Sequence, residues 1–459
     1  MKAMSTSLVD DAPLTSFHKR LTLYTTGGPF LDGYILSIIG VALMQLGPQF
    51  HLTAFWSGLI GTSTLVGLFL GGLIFGYVTD LVGRHVMYTI DLAVILIFSI
   101  WQAFADSPLE LAILRFILGV AVGADYPIAT SLLAEFAPRK HRGMMLGILQ
   151  AMWYFGALVA YLVGYLLLAT GPDAWRWMLA SSAIPAFALI FMRWGTPESP
   201  RWLIKKNRID EAREVVKKVY GPDADITDLE SQTKKWGFRA LFQREYLKRT
   251  LYVGLFWMLL ITPSFALSTF GPEILQVLNM KQQGAPFIGT AVISLFFLLG
   301  DIPALWLINK LGRRRLVIWS FAIMTLGLLI IGVLPDASAW IIFTGFVIYA
   351  FFSGGPSILT WIYPNELFPT EVRASAVGVA TAISRIGSFI GTFLVPFGIV
   401  SIGIGPMVLI GAGLTFLGFL ISVAWAPETT GQTLDEASSA ENPNSLSQKE
   451  RVLSGNQTK

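Results

Sequence analysis

Twelve stretches of about 20 mainly apolar residues follow one another along the 459-residue chain. A helix of about 20 residues is long enough to cross the ~30 Å hydrocarbon layer of a bilayer. Only 14% of the residues are charged, whereas globular domains have roughly 25%. The chain is therefore predicted to be an all-α membrane protein with twelve transmembrane helices. The predicted spans are residues 21–46, 57–78, 86–105, 109–133, 144–169, 175–194, 250–270, 286–308, 316–334, 339–363, 374–400 and 406–426.

Residues that carry enzyme chemistry are few. The chain has no cysteine, which excludes disulfides, thiolate metal sites and cysteine catalysis. It has no nucleotide-binding loop and no Ser/His/Asp set, and its histidines are too scattered to bind a metal. An enzyme is therefore the least favoured class, and we predict no cofactor and no metal site. The net charge of +4 indicates topology and gives no reason to expect a nucleic-acid partner. The histidines are His18, His51, His85 and His141.

Lysine and arginine are concentrated in the loops on one side of the predicted spans. Cytoplasmic loops of membrane proteins carry an excess of these residues, so this side and both termini are predicted to be cytoplasmic. The other side has little beyond Arg176 and Lys281. The first residues contain no apolar signal region, so we expect no cleaved signal. The basic side carries Lys19, Arg20, Arg84, Arg139, Lys140, Arg142, Lys310, Arg313, Arg314, Arg315 and Arg373.

Three short motifs of the first half recur in the second half at almost one spacing. Unrelated motifs share a spacing when a segment has been duplicated. The chain is therefore predicted to contain two six-helix bundles in the same orientation. Gly83-Arg84 recurs as Gly312-Arg313 after 229 residues, Glu135 recurs as Glu366 after 231, and Pro197-Glu198 recurs as Pro427-Glu428 after 230.

The predicted domain boundaries follow from this duplication. The polar linker between the bundles is expected to hold short amphipathic helices at 200–206 and 210–220, whose basic residues suit the anionic inner leaflet; a plain solvated linker is the alternative. The polar tail is predicted to be disordered. The domains are a cytoplasmic N-terminal segment at 1–20, bundles at 21–196 and 250–430, the cytoplasmic linker at 197–249 and the cytoplasmic tail at 431–459.

Several motifs resemble those of the major facilitator superfamily. Gly76-x-x-x-Asp80-x-x-Gly83-Arg84 is similar to its loop signature between the second and third helices. Pro197-Glu-Ser-Pro-Arg201 and Pro427-Glu-Thr-Thr-Gly431 resemble the marks of its sugar-porter branch. Gly123-Ala-Asp-Tyr-Pro127 is similar to the fourth helix of its phosphate and organic-ion branches. Ser384-Arg-Ile-Gly387 resembles the eleventh helix of its organic-anion branch.

This resemblance covers the chain from about Leu21 to Gly431. It implies the major facilitator fold and transport by alternating access, in which two bundles rock about a site near the membrane midplane. It also implies that helices one, four, seven and ten line the cavity, and that the monomer is functional. The marks of several branches are mixed, so the resemblance leaves the substrate open.

Charged residues inside the predicted spans include Asp32 in span one, and Arg115 and Asp125 in span four. Ionisable residues there are costly and mark functional sites. At about 1.5 Å per residue, Asp32 lies roughly 16 Å from the cytoplasmic face, between the other two in depth. Sugar porters resemble this arrangement of acid and arginine. We predict that Asp32 carries the coupling proton and that Arg115 controls it by pairing with Asp32; a fixed ion pair between spans one and four is the alternative.

Other charged residues of the spans are less easily assigned. Asp125, also assigned to proton coupling, precedes Tyr126-Pro127, which predicts a kink with freed carbonyls; capping that kink is the alternative. Arg385 lies near mid-depth in span eleven, where a guanidinium suits a carboxylate or phosphate. Its alternatives are snorkelling to the interface or pairing with Asp301 of span eight. Asp91 is expected to be wet, near the cytoplasmic end of span three, and to belong to the scaffold.

The predicted substrate site is polar on one side and aromatic on the other. By the resemblance, Gln150 and Trp361 match the helix-five glutamine and the helix-ten tryptophan of the sugar porters. Span seven, residues 250–270, lacks the paired glutamines and asparagine of those proteins. A polyhydroxylated ring needs many fixed donors and acceptors, so this loss argues against a typical hexose, and Arg385 argues for an organic acid. Further predicted lining residues, each with core packing as the alternative, are Trp153, Tyr154, Tyr126, Tyr34, Trp257 and Phe265.

Charged residues cluster at the cytoplasmic ends of both halves. We predict that they pair across the bundles in one state and separate in the other; topology alone is the alternative. Ion pairs at a wet surface contribute only ~0–1 kcal/mol each, so such a gate tilts an equilibrium without freezing it. Asn309 replaces the acid of the first copy, so the second half is expected to hold less tightly. The gate residues are Asp80, Arg84, Glu135, Arg142, Glu198, Arg201, Arg313, Glu366, Arg373 and Glu428.

The sequence therefore favours a secondary active transporter. The first reading is a proton-coupled symporter that imports a small organic metabolite, an organic acid before a sugar. A proton-driven exporter of a metabolite or drug is a further reading, and a nutrient sensor that does not transport comes from another class. The predicted partners are the substrate, protons and the lipid bilayer. The predicted location is a plasma membrane, the bacterial inner membrane.

Overall fold

The computed structural model describes residues 13–82, 84–136, 138–193, 197–222, 241–278, 284–368 and 370–430, together with 224, 226 and 437. This part of the chain is almost wholly helical and contains no strand. The helices are α1 (Ser16–Gln49), α2 (Ala54–Val82), α3 (Arg84–Trp101), α4 (Pro108–Phe136), α5 (Arg139–Leu167), α6 (Ala174–Ala180), α7 (Ala183–Arg193), α8 (Pro200–Lys205), α9 (Ile209–Tyr220), α10 (Arg244–Val277), α11 (Ala285–Leu311), α12 (Arg313–Val333), α13 (Ala339–Leu367), α14 (Thr370–Ser401) and α15 (Ile404–Trp425).

Twelve of the helical segments account for the predicted spans. Ten are long and apolar enough to cross a membrane: α1, α2, α5, the pair α6 and α7, and α10 to α15. The shorter apolar part of α3, Thr89–Phe104, and the 29-residue helix α4 complete the set. The predicted all-α membrane architecture is confirmed.

The sixth span is broken into α6 and α7 by local chemistry. The hydroxyl of Ser181 donates to the carbonyl oxygen of Met178 at 2.6 Å, and that of Ser182 donates to Leu179 at 2.8 Å. Serine hydroxyls that bond back to the preceding turn loosen a helix. Pro185 follows and has no N–H for the carbonyl one turn earlier. The helix therefore opens at this point and resumes as α7.

Close backbone approaches occur at matching positions of the two bundles. A Cβ added to Gly71 of α2 would lie 2.1 Å from the carbonyl oxygen of Val120 on α4. One added to Gly300 of α11 would lie 2.0 Å from the carbonyl oxygen of Phe351 on α13. Small residues let membrane helices approach this closely. Gly300 follows Gly71 by 229 residues and Phe351 follows Val120 by 231, so the sequence duplication extends to the packing.

The two bundles meet mainly where α1 packs on α10, α2 on α14 and α5 on α11, with a smaller contact of α5 with α13. Some contacts are tight at the end away from the chain termini. A Cβ added to Gly40 of α1 would lie 2.1 Å from the carbonyl oxygen of Thr269 on α10. Tyr161 of α5 donates its hydroxyl hydrogen to the carbonyl oxygen of Ser268 on α10. The bundles are closed against each other at this end.

The linker helices α8 and α9 dock on the N-terminal bundle. The hydroxyl of Ser199 accepts a hydrogen bond from the backbone N–H of Trp202 at 3.2 Å and so caps α8. Tyr220, the last residue of α9, donates its hydroxyl hydrogen to the carbonyl oxygen of Phe136 at the end of α4. The helix α10 begins at Arg244, within the predicted linker. The domain boundaries themselves stay a prediction.

Candidate substrate cavity and proton site

A small cavity lies where α1, α5, α10, α13 and α14 meet. Its volume is about 50 Å³, whereas sites for small organic ligands measure roughly 300–1,000 Å³. The cavity is therefore smaller in this structure than a site for such a ligand. The polar side chains of the lining are Asp32, Gln150, Ser264, Ser357, Thr360 and Arg385.

Asp32 reaches the cavity from the middle of α1. The carboxylate is only 3% exposed, and its Oδ2 accepts a hydrogen bond from the indole Nε1 of Trp153 at 2.8 Å. Its Oδ1 has no hydrogen-bond partner in the part of the chain that the structure describes. The neighbouring Gly33 makes this geometry possible, because a Cβ there would lie 1.9 Å from the carbonyl oxygen of Trp153. A half-satisfied carboxylate in a central cavity is a candidate proton acceptor.

Arg115 does not pair with Asp32 in this structure. Its Nε donates to the carbonyl oxygen of Ile60 at 3.2 Å, and its Nη2 donates to that of Ile35 at 3.4 Å. The side chain is fully buried, and Nη1 has no hydrogen-bond partner. The expected ion pair is absent, because the guanidinium is turned toward carbonyl groups of α1 and α2. Arg115 ties α1, α2 and α4 together here.

Arg385 of α14 is the cation of the cavity. Its guanidinium carbon lies 5.2 Å from the ring centroid of Phe265, a cation–π contact. It acts electrostatically on Asp32, which lines the same cavity. Arg385 is 7% exposed, so it does not snorkel to the interface. The alternative prediction, that Arg385 pairs with Asp301, is also wrong, because neither carboxylate oxygen of Asp301 has a hydrogen-bond partner among the described residues.

Aromatic side chains from both bundles close the cavity. Trp153 packs edge-on against Phe265 at 5.5 Å, and the rings of Trp257 and Trp361 lie 6.3 Å apart. The indole Nε1 of Trp361 donates to Oε1 of Gln150 at 3.3 Å. The structure thus brings these five predicted residues together with Asp32 and Arg385.

One predicted lining residue lies away from the cavity. Tyr34 points to α6, where its hydroxyl is 2.6 Å from that of Ser181. The side chain of Tyr126 lies outside the described residues. Tyr154 lines the cavity, and its ring stacks on Phe297 of the other bundle at 4.8 Å. The cavity hydroxyls of α13 escaped the sequence analysis, because serine and threonine are common in buried helices and give no specific signal.

Asp125 sits outside the cavity in a bidentate ion pair. Its Oδ1 accepts from Nη1 of Arg193 at 2.6 Å and its Oδ2 from Nη2 at 3.3 Å. Arg193 also donates to the carbonyl oxygen of Tyr24 on α1. A Cβ added to Gly28 would lie 1.5 Å from Oδ2 of Asp125. The ion pair of Asp125 therefore links α4 to α7, and both pack against α1. This location favours a structural role for Asp125 over the predicted role in proton coupling.

Asp91 lies beside that ion pair. It is only 2% exposed, so the expectation that it is wet was wrong. Its Oδ1 accepts the backbone N–H of Leu92 at 2.6 Å, and its side chain interacts with Asp125. The error has a simple cause. Sequence position shows depth along α3 but cannot show that α4 and α7 cover this face.

Two of the described gate residues, Arg313 and Glu366, pair within the C-terminal bundle. Nη2 of Arg313 donates to Oε1 of Glu366 at 3.1 Å, and Thr429 donates its hydroxyl hydrogen to Glu366. Glu198 accepts the backbone N–H of Ser199 at 3.0 Å. Pairing across the bundles stays a prediction. The side chains of Asp80, Arg84, Glu135, Arg142, Arg201, Asn309 and Arg373 lie outside the described residues.

Glu428 caps the start of α12. Its carboxylate accepts the backbone N–H groups of Arg313 at 3.0 Å and Arg314 at 3.2 Å. Partial burial raises the pKa of the Glu428 carboxyl. Hydrogen bonds from Thr430, Arg313 and Arg314 outweigh this effect and hold the pKa below its usual value. A carboxyl with a lowered folded-state pKa contributes stability at neutral pH that is lost as the pH falls through that pKa.

Glu428→Gln is expected to loosen the first turn of α12. Loss of a helix cap costs about 1 kcal/mol, so amide exchange over residues 313–316 should accelerate roughly fivefold at neutral pH. The matched control is Glu211→Gln, which removes an exposed carboxylate paired with Arg208 on α9. Unchanged exchange at the start of α12 would show that Glu428 does not hold it.

These features define a class of protein. Two like bundles of six helices that surround a polar cavity at mid-depth are the architecture of a multi-pass membrane transporter, not of an enzyme. Residues 14–440 match the family described as Sugar (and other) transporter. The chain belongs to that family, and so to the sugar-porter type of the major facilitator superfamily.

Similar proteins span nearly the whole chain. It is 47% identical to YaaU of Escherichia coli (strain K12), provisionally named a metabolite transport protein, over 94% of this chain and 96% of YaaU. It is 36% identical to the inner membrane metabolite transport protein YgcS of the same organism, over 93% and 95% of the two chains. The partially occluded, inward open structure of the xylose transporter XylE from E. coli gives a TM-score of 0.79 at 22% identity, covering 91% of this chain and 100% of that one. The predicted major facilitator fold is confirmed.

Proposed function

We propose that this protein is a proton-coupled symporter that imports a small organic acid by alternating access. The observation that carries the proposal is the pair of opposite charges in one cavity. Asp32 and Arg385 are the charged side chains among the described lining residues. Each keeps unused hydrogen-bonding capacity, at Oδ1 of Asp32 and Nε of Arg385.

The charges of this pair give a reason for strict coupling. An empty cavity with an ionised Asp32 and Arg385 has no net charge. A cavity with a protonated Asp32, Arg385 and a substrate carboxylate has none either. States that hold only the proton or only the anion carry a net charge, which is expensive to enclose away from water. Both bundles can therefore close over the fully loaded and the empty cavity, and the proton and the acid cross together.

Location and direction are part of the same proposal. The lysine and arginine bias supports cytoplasmic termini, and the relative YgcS is named an inner membrane protein. We place the protein in a bacterial inner membrane as a functional monomer. The inward proton gradient there makes symport an uptake reaction. The alternatives are an exporter and a non-transporting sensor. A measurement of substrate and proton flux distinguishes both from a symporter.

The substrate class is tested by competition on the purified protein. Trp153, Trp257 and Trp361 line the cavity, so their fluorescence reports ligand binding. Small mono- and dicarboxylates are titrated beside pentoses, hexoses and myo-inositol. Saturable quenching by an acid, weakened when the pH is raised because binding needs a proton, supports the proposal. Quenching by sugars alone contradicts the organic-acid assignment.

Sugar transport is the second candidate, favoured by the Gln150–Trp361 hydrogen bond. XylE is described as a proton:xylose symporter and IolT of Bacillus subtilis (strain 168) as the major myo-inositol transporter. The described part of α10 nevertheless lacks an amide side chain facing the cavity, which leaves few donors for a ring of hydroxyls. The acid is therefore the first choice.

Gln150→Leu separates the two candidates. If the substrate is an acid held by Arg385, its affinity should fall by no more than about tenfold, since a neutral hydrogen bond contributes ~0.5–1.5 kcal/mol. Binding is measured by tryptophan fluorescence, with Gln45→Leu at the far end of α1 as the control. A larger loss, confined to sugar binding, would favour the sugar porter.

A further inference from the structure

Asp301 lies on the seam between the two bundles. It is on α11, and residues one turn away on either side of it face α5. The ring of Phe297 stacks on Tyr154 at 4.8 Å with an interplanar angle of 8°. The side chain of Leu305 would lie 3.5 Å from a Cβ added to Gly147. Residues four apart share one face of a helix, so Asp301 lies between these contacts and faces α5. We call this contact the α5–α11 seam.

The carboxyl of Asp301 has no hydrogen-bond partner among the described residues. It is 3% exposed, and neither oxygen has a hydrogen-bond partner. Tyr154 of α5 lies close enough to Asp301 to interact with its charge, and Tyr349 of α13 packs against Phe297, one turn away. The described parts of α10 and α12, the other helices packed on α11, place no charged group close enough to act on it.

A carboxyl in this place is neutral. Burial of an ionised carboxylate without a partner costs several kcal/mol, and an intramembrane acid is a functional-site hypothesis by default. The ionised form needs water, and separation of α5 from α11 would let water reach Asp301. These helices belong to different bundles, so their separation is part of the rocking motion. Proton binding at Asp301 and closure of the seam are therefore linked.

We propose that Asp301 is a second proton-binding site, which takes up a proton as the α5–α11 seam closes and releases it as the seam opens. The site is on the C-terminal bundle, across the seam from the cavity side chains of α5. The proposal rests on the proposed function only for the rocking of the bundles. It requires neither an organic acid nor a proton on Asp32.

The test measures the seam directly and without substrate. The chain has no cysteine, so Met144→Cys and Lys310→Cys place two spin labels at the ends of α5 and α11 without competing sites. Pulsed electron paramagnetic resonance then gives the distance between the two labels as a function of pH. In the parent protein, raising the pH should ionise Asp301 and increase the population with the longer distance. Asp301→Asn should stay at the shorter distance, with the amplitude of the pH response reduced by more than half.

The controls make every outcome decisive. Asp336→Asn, an exposed acid between α12 and α13, should titrate like the parent protein. Asp301→Ser is a second neutral variant in case the Asn protein does not fold. A pH response that keeps more than half of its amplitude in the neutral variant overturns the proposal. That result would not affect the organic-acid proposal, because the measurement contains no substrate. If instead the label distance still depends on Asp301 and pH, but the acid drives no proton uptake, the proposed function is wrong and the Asp301 proposal stands.

Discussion

Asp32→Asn is expected to abolish uphill uptake of the substrate while leaving exchange across the membrane intact. Asparagine is nearly the size of aspartate and is neutral, so it mimics the protonated acid permanently. The cavity can then close over Arg385 and a bound anion. It cannot close empty, because an unpaired guanidinium would be enclosed away from water. The carrier therefore exchanges substrate for substrate but does not return without it.

Two measurements on proteoliposomes check this prediction. Accumulation driven by an imposed proton gradient should fall to the equilibrium level, whereas counterflow of labelled substrate should persist. The matched control is Trp153→Phe, which removes the hydrogen bond to Asp32 at 2.8 Å but keeps the acid. It should still accumulate substrate. Full gradient-driven accumulation by Asp32→Asn would remove Asp32 from the coupling scheme.

Arg385→Gln is expected to weaken binding of an acidic substrate by roughly 30-fold or more. Loss of one partner of a buried, hydrogen-bonded charge pair costs ~2–5 kcal/mol. Glutamine keeps a donor and much of the volume beside Phe265, so the effect reports the charge. The affinity is read from tryptophan fluorescence, with the acid identified by competition.

Arg385→Lys is the matched control for the charge. Lysine keeps the cation but replaces the planar fork by a point charge, so it should bind the acid more weakly than arginine and more tightly than glutamine. Sugar binding, if any is present, should change little in either variant. If the native protein and Arg385→Gln bind the acid with equal affinity, the substrate carboxylate does not contact this position.

Much of the fold could be predicted from the sequence. Apolar length identifies membrane helices, since the bilayer sets the number of residues that each crossing needs. The repeat spacing predicts two like bundles, and the paired approaches at Gly71 and Gly300 show the same spacing in three dimensions. The break between α6 and α7 was not foreseen. Apolar composition continues across it, and only local hydroxyl bonds and Pro185 interrupt the helix.

The site was predicted less completely, because sequence gives depth but not rotation about the helix axis. Depth placed Asp32 and Arg385 near the midplane and Arg115 nearer the outer face. Which arginine faces Asp32 depends on how α4 and α14 turn against their neighbours. Arg115 is turned toward carbonyl groups of α1 and α2, and Arg385 toward the cavity. The ion pair of Asp125 with Arg193 joins helices distant in sequence, so no local pattern could show it.

Proton movement that accompanies substrate entry tests the central claim most directly. Intact cells that produce the protein are suspended in weak buffer, and the external pH is followed when the acid identified by competition is added. The account predicts a rise in external pH with the native protein and no rise above background with Asp32→Asn. A fall in external pH, or entry of the acid with no change in pH, would contradict proton-coupled uptake.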